Sequence, residues 1–387
     1  MTKIQKDNKN VAKVPNLRFS EFEGEWNREK IGHILTIGSG KDYKHLSKGT
    51  IPVFGTGGYM TSVDDFLYEG ESVCIGRKGT INKPLYFNGK FWTVDTLFYT
   101  HSFKNVLPKF VYNIFEQINW LKYNEASGVP SLSKSTIEQI DINIPCVEEQ
   151  QKIATFLSLI DERIQTQNKI IEELKLLKIT ISKKLFSRQL RFKNGNNENY
   201  IDWNTKNLGE VTTLINKRNK NNEKLPVYSI NNKLGFVPQS EQFEGVDSED
   251  RGYDIKLYKI IDKNTFAYNP ARINVGSIGY SENLENIIIS SLYVCFKTDN
   301  TVNDNFLFQY LKTDFFNREV LRNVEGGVRD YLFYDNFARI KFDLPCIEEQ
   351  KKIADYLSSI DSKIDIESQL LHKFEEQKRY LLANLFI

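Results

Sequence analysis

Four short turns concentrate arginine, lysine and asparagine. Lys41-Asp-Tyr-Lys44 and Arg77-Lys-Gly-Thr-Ile-Asn-Lys83 lie in the first half of the 387-residue chain; Lys217-Arg-Asn-Lys220 and Ala271-Arg-Ile-Asn274 lie in the second. Arginine and asparagine make bidentate hydrogen bonds to guanine and adenine edges, while lysine and backbone N–H groups hold phosphates. On that chemistry the candidate nucleic-acid contacts are Lys41, Lys44, Arg77, Lys78, Thr80, Asn82 and Lys83, and then Lys217, Arg218, Lys220, Arg272, Asn274, Ser277 and Arg329. Arg77 and Arg272 each stand beside a Gly/Asn turn, at what reads as a corresponding point. A basic loop alone is usually a solvated loop, so the weight rests on the duplication.

Bond-making chemistry leaves no comparable trace. Gly38-Ser-Gly-Lys41 continues with aspartate and lacks the first glycine of a phosphate-cradling loop. Asn269-Pro270 is followed by alanine and arginine, without the second proline and aromatic of an amino-methyltransferase tetrapeptide. No nuclease-like acidic cluster with a nearby lysine and no Ser/His/Asp context stands out. Cys74, Cys146, Cys295 and Cys346 form no C-x-x-C pair, and the four histidines are scattered, which argues against a metal site or a disulfide framework. Cys146 and Cys346 read as small buried residues. The expectation is a chain with no catalytic residues, metal or cofactor of its own.

The elements that must position the basic turns are duplicated. Ile144-Pro-Cys-Val-Glu-Glu-Gln to Ile164 returns as Leu344-Pro-Cys-Ile-Glu-Glu-Gln to Ile364, shifted by 200 without a gap, with thirteen of twenty-one positions identical. After each proline an acidic pair suits a helix N-terminus, and the apolar period becomes a heptad seam. The seam runs through Ile153, Leu157, Ile160, Ile164, Ile171, Leu174, Ile181 and Leu185, and again through Ile353, Leu357, Ile360, Ile364, Leu371, Phe374, Leu381 and Leu385. Its polar exceptions fall at matching places, Gln167 with Glu367 and Lys178 with Lys378. Such residues either fix register or snorkel to solvent. Glu148 to Leu185 is 38 residues, about 57 Å of helix. A seam that long needs a partner, and the two helices packing antiparallel on each other is the economical solution, with self-association between chains as the competitor.

The starts of the halves match as well. Leu17-Arg-Phe19 precedes Trp26, and Leu190-Arg-Phe192 precedes Trp203; then come Gly32, Ile34, Thr36 and Gly209, Val211, Thr213. The middles diverge while their frame stays, which suits variable recognition surfaces. Ile51–Phe54, Trp92–Tyr99 and Asn286–Phe296 read as strands, Lys109–Tyr123 and Asn305–Asn323 as helical. The fold class is therefore α+β: a polar tail over 1–14, mixed α/β heads over 15–144 and 191–344, and helices over 145–190 and 345–387, with an internal pseudo-two-fold. The net charge of +2 demands no polyanionic partner but leaves room for local basic faces. The Lys/Asn-rich first thirteen residues are no signal peptide, and no run of 18 apolar residues exists, so a cytoplasmic chain without a membrane span is expected.

Taken together, Leu17-Arg-Phe with Trp26, the Pro-Cys-x-Glu-Glu-Gln blocks at 145–150 and 345–350, the Ile-Asp steps at 160–161 and 360–361, and Asn269–Ile278 resemble the specificity subunit of type I restriction–modification systems. The resemblance covers the chain from about Pro15 onward. It implies two target-recognition domains, each reading one half of a bipartite double-stranded DNA site. It further implies helices that set the spacing and dock two methyltransferase subunits, with restriction (translocase) subunits joining afterwards. S-adenosylmethionine, ATP and magnesium would then sit on those partners. The DNA contacts themselves do not carry over, since the recognition regions differ most within the family. Two other readings stay open on sequence: a coiled-coil scaffold with two peptide-binding heads, and a single-chain nuclease or methyltransferase with a disguised site.

Overall fold

Each Pro-Cys step lies where a short strand hands over to a long helix, and both halves build that junction alike. The computed structural model describes residues 14–242, 254–324 and 331–387. Contacts divide it into two units, Met1–Lys169 with Ser368–Ile387, and Ile170–Glu367. Each unit thus takes a head, the first part of the helix that follows it, and the last part of the other helix.

Unit 1 runs β1 (Asn27–Lys30), α1 (Ile31–Ile34), β2 (Thr36–Ser39), β3 (Lys48–Gly55), β4 (Gly58–Val63), β5 (Tyr68–Gly76), β6 (Leu85–Thr93), β7 (Leu97–His101), α2 (Pro108–Gln117), α3 (Lys134–Glu138), β8 (Asp141–Ile144) and the start of α4 (Val147–Phe186). Its six-stranded sheet has the order β2-β7-β5-β6-β3-β4, with only β3 and β6 parallel. The expected single strand Trp92–Tyr99 is two, because a turn at Val94–Thr96 separates β6 from β7, with Leu97 N–H donating to the Val94 carbonyl at 2.9 Å. The helical run from Lys109 ends at Gln117, and a 3₁₀ turn at Trp120–Tyr123 follows.

Unit 2 contains β9 (Asn204–Asn207), α5 (Leu208–Val211), β10 (Thr212–Ile215), β11 (Val227–Asn231), β12 (Gly235–Pro238), α6 (Gln239–Gln242), β13 (Lys259–Ile261), β14 (Phe266–Tyr268), β15 (Ile278–Tyr280), β16 (Ile287–Ile289), β17 (Val294–Thr298), α7 (Asp304–Tyr310), α8 (Asp314–Asn323), α9 (Tyr334–Arg339), β18 (Lys341–Leu344) and the start of α10 (Ile347–Leu385). Two four-stranded sheets, β10-β17-β14-β15 and β12-β11-β16-β13, replace the single sheet of unit 1. The run Asn286–Phe296 is likewise two strands. Asn305–Asn323 splits into α7 and α8 at Thr313, whose side chain caps α8 by accepting from Phe316 N–H at 3.3 Å.

The frame around each head is the same. Antiparallel β1 and β8 pair Asn27 with Ile144 and Lys30 with Asp141; β9 and β18 pair Asn204 with Leu344 and Asn207 with Lys341. The first residues of the head are thereby tied to the last before Pro-Cys. Gly32 and Gly209 are required by close helix crossings: a Cβ would come within 2.9 Å of Glu138 Cβ in one and 2.7 Å of Ala338 Cβ in the other.

The Glu-Glu-Gln block closes the frame. Glu149, expected only as a partner for the helix dipole, is buried and takes Arg18 in a bidentate pair, Nε to Oε1 at 2.8 Å and an η-nitrogen to Oε2 at 2.7 Å. Arg191 and Glu349 repeat this at 3.1 and 2.9 Å, and Trp203 Nε1 adds a third bond to Glu349 at 3.0 Å. The hydrogen bonds to glutamate hold both guanidinium pKa values above the ordinary arginine range. Gln150 donates to the Pro145 and Asn105 carbonyls and accepts from Leu107 N–H; Gln350 does the same with Pro345, Thr301 and Asn303. Cys146 and Cys346, expected to be buried, are exposed and half-buried. Their carbonyls accept from Gln150 and Gln350 N–H at 3.0 Å in the first helical turn, and the backbone, not the thiol, is what the position uses. The thiols inside the heads are Cys74 and Cys295, which burial pushes up to about 12.

Within each unit the helix segments run antiparallel. In unit 1, Lys378 reaches Asp161, and beyond it Leu381, Leu382, Leu385 and Phe386 share a core with Ile153, Ala154, Leu157 and Ile160. In unit 2, Lys178 reaches Asp361, and Leu185 and Phe186 share a core with Ile353, Ala354 and Leu357. All sixteen seam residues are buried or half-buried. The lysines that interrupt the seam do not snorkel; each meets the aspartate of an Ile-Asp step at 2.6 Å. Gln167 and Glu367 are buried too.

Candidate nucleic-acid interface

In unit 1 the Arg77–Thr80 turn is pinned to the segment before α3. Leu132 N–H donates to the Arg77 carbonyl at 2.9 Å and Gly79 N–H to the Pro130 carbonyl at 2.8 Å, with Gly79 at φ +96°, where a side chain is strained. The turn also holds the β6–β7 connection, through Arg77 N–H to the Thr96 carbonyl at 2.7 Å. Lys41 N–H binds that connection at Thr93, at 2.8 Å. Arg77 and the Lys41 loop are therefore brought to one place from stretches far apart in sequence.

Beside the Arg77 turn opens a cleft of about 720 Å³ lined by Arg77, Lys78, Ser39, Asp95, Glu125, Ser131 and Lys134 among others, with the Lys41 loop outside its lining. Arg77 spends one donor, on the Asp95 carbonyl at 3.3 Å, and keeps most of its fork free. Lys41, Lys44, Lys78 and Lys83 are exposed and in no ion pair among the described residues. Asn82 is exposed and Thr80 half-buried in the same turn. Lys134, which sequence reasoning missed, lies 5.9 Å from the Phe98 ring centre. Its signal was Ser133, which caps α3 and so places the next residue on the first turn facing the cleft. Glu125 is held below the ordinary carboxylate range by hydrogen bonds from Thr136 and then Ser133. The cleft thus offers both free cationic donors and fixed acceptors, the mixture that base edges require.

Unit 2 arranges its candidates differently. Arg218, Lys220, Arg272 and Asn274 are exposed and in no ion pair among the described residues, but Lys217 is paired with Asp262 at 3.2 Å. The Lys217–Lys220 loop bridges β13, one edge of its sheet, through Arg218 and Lys259; buried Asn219 staples it by donating to the Glu223 carbonyl and accepting from Glu223 N–H. The Arg272–Asn274 turn packs toward the other edge, where a Cβ on Gly276 would lie 3.2 Å from the Asn232 carbonyl in the β11–β12 hairpin. The two clusters are not brought together. Ser277 is corrected outright: it is buried, with Oγ donating to the Ile230 carbonyl at 3.2 Å. Arg329 lies outside the described residues. The correspondence of Arg77 with Arg272 also shifts, since Leu332 N–H donates to the Pro270 carbonyl as Leu132 does to Arg77. Arg272 is two residues further on.

The sequence and the fold have known counterparts. The family description "Type I restriction modification DNA specificity domain" matches residues 23–176 and again residues 200–376. The chain is 27% identical over 336 residues to the type I restriction enzyme MjaVIII specificity subunit of Methanocaldococcus jannaschii, covering 82% of this chain and 76% of that one. It is 26% identical over 264 residues to the MjaIX specificity subunit of the same organism, covering 59% of this chain and 58% of that one. Among solved structures, the type I restriction–modification S subunit from M. genitalium superposes with a TM-score of 0.64 at 16% identity, over 97% of this chain and 99% of that chain. A chain solved in work on complex assembly and conformational transition of the type I R-M system superposes with a TM-score of 0.53 at 13% identity, over 93% and 97%. At those identities the superpositions establish the fold.

Proposed function

The chain belongs to the type I restriction–modification DNA specificity family, and from that membership we propose that it is the sequence-reading, non-catalytic subunit of such a system. Each head reads one half of a split double-stranded DNA site. The seam helices set the spacing and dock two modification (methyltransferase) subunits, to which restriction subunits add. S-adenosylmethionine, ATP and magnesium act on those partners, in the cytoplasm. No helix among the described residues is long and apolar enough to cross a membrane. One observation carries the reading. Two heads of different sheet architecture, each with unpaired cations on a turn, are mounted on the same clamp of Arg18–Glu149 or Arg191–Glu349. A frame kept constant around unlike readers is what recognition of two unlike half-sites needs.

Arg77→Ala tests the assignment of the cleft. Loss of one bidentate base contact costs about 1–3 kcal/mol, so the assembled complex should bind its cognate duplex roughly 5–150-fold more weakly. The loss should vanish for duplexes already altered at the half-site that unit 1 reads. Titrations on a panel of duplexes measure this. An equal loss on every sequence would make Arg77 a phosphate contact, and methyl transfer by the purified chain alone would contradict the non-catalytic reading.

A further inference from the structure

The lysine–aspartate pair of the helix seam is built alike in both units, but its surroundings are not. In unit 1, Lys378 Nζ lies 2.6 Å from both Asp161 Oδ1 and Glu116 Oε1, two carboxylates on one ammonium. In unit 2, Lys178 meets Asp361 as its one carboxylate among the described residues. The residue in Glu116's place is Lys312: Leu107 and Asn303 N–H make the same bond, to Gln150 and Gln350, and Glu116 and Lys312 each follow nine residues later. More than a third of Lys312 is exposed, yet its ammonium packs 3.7 Å from the Phe308 ring centre. Desolvation there, and then Lys178 nearby, push its pKa down to about 8.

These cations line a cavity of about 530 Å³ that Lys183 and Arg318 also enter, four cations against the single lining carboxylate Asp314, with Ile179 and Phe315 supplying apolar wall. Beside it α4 exposes Leu176 and Ile179, at 65 and 61%. The matching positions in unit 1 are Glu376 and Arg379. Surplus positive charge and an uncovered aliphatic face therefore coincide in unit 2, and unit 1 has neither at the equivalent place.

We propose that this cavity seats an acidic amphipathic helix of a protein partner, with one carboxylate taking the place that Glu116 fills in unit 1. Resting on the proposed function, the partner is a modification subunit, and the two subunits are held unequally. Nucleic acid does not suit the seat as well: phosphates satisfy the lysines but leave two aliphatic side chains uncovered, whereas a helix with an apolar stripe and acidic flank answers both.

The test is stepwise binding of the cognate modification subunit to the full-length chain, followed by native mass spectrometry. The wild type should bind two subunits with distinct affinities. Lys312→Glu puts the missing carboxylate into the cavity, and Ile179→Arg, at an exposed site, puts in the residue of unit 1. Each should weaken the tighter step by at least about tenfold and leave the other step unchanged. Two unchanged steps in both variants overturn the proposal. So does weakened DNA binding by the complex with subunit binding intact, which would assign the cavity to the phosphate backbone. A wild-type chain that binds no modification subunit contradicts the proposed function itself, and this inference with it.

Discussion

Glu349→Ala is expected to destabilise unit 2 by about 3–5 kcal/mol, the range for removing one partner of a buried ion pair. Glu349 is fully buried and accepts from Arg191 twice and from Trp203 Nε1 once. Without it, a guanidinium of which only 17% is exposed loses its buried carboxylate and keeps the Tyr200 and Ile201 carbonyls with Asp202 at 3.4 Å, while a buried indole N–H loses its acceptor. Glu149→Ala should cost unit 1 less, because Trp26 Nε1 has no partner among the described residues to lose. Hydrogen exchange resolved by peptide measures the two separately. Protection in β9, β18 and α5 should collapse in the first variant, and β1 and β8 should loosen in the second. A loss below about 1 kcal/mol in the first would mean that the clamp is no more than a surface pair.

Leu157→Glu is the other large effect. Leu157 has no exposed surface and sits among Ile153, Ile160 and the end of α10. A carboxylate there has no partner in an apolar layer, and the cost belongs to the exceptional class above about 4–5 kcal/mol. Leu159→Glu, two residues away and 53% exposed, should stay within about 0.5 kcal/mol of wild type. Both are leucine-to-glutamate changes in the same helix, so thermal melting of the pair isolates burial from helix propensity. Equal behaviour of the two variants would contradict the seam assignment.

The seam was legible because its information is local: a period near 3.5 survives in any window of the sequence and needs no distant contact to be seen. The borders were legible because they recur. Their purpose was not, since Arg18 and Glu149 are 131 positions apart and only the fold joins them. Glu149 therefore read as a dipole partner, and Lys178 as an interruption when it is half of an ion pair with Asp361. Inside the heads the reading weakened for a different reason. Basic residues in turns announce exposure but not company, so Lys217 and Ser277 looked like Arg77 until Asp262 and the Ile230 carbonyl claimed them. One sheet in unit 1 stands where unit 2 has two, so matching by motif slipped by two residues at Arg272. The exchange of Glu116 for Lys312 stayed hidden for the same reason, because it becomes visible only when the heads are aligned through Gln150 and Gln350.

Mapping methylated bases by long-read sequencing tests the central claim most directly. The chain is expressed with its cognate modification subunit in a host that methylates nothing else. The account predicts one methylated motif in two specified halves, separated by unspecified bases, with the half centres about one helical turn, ~10 bp, apart. An uninterrupted motif, or methylation without sequence preference, from an intact complex would contradict it.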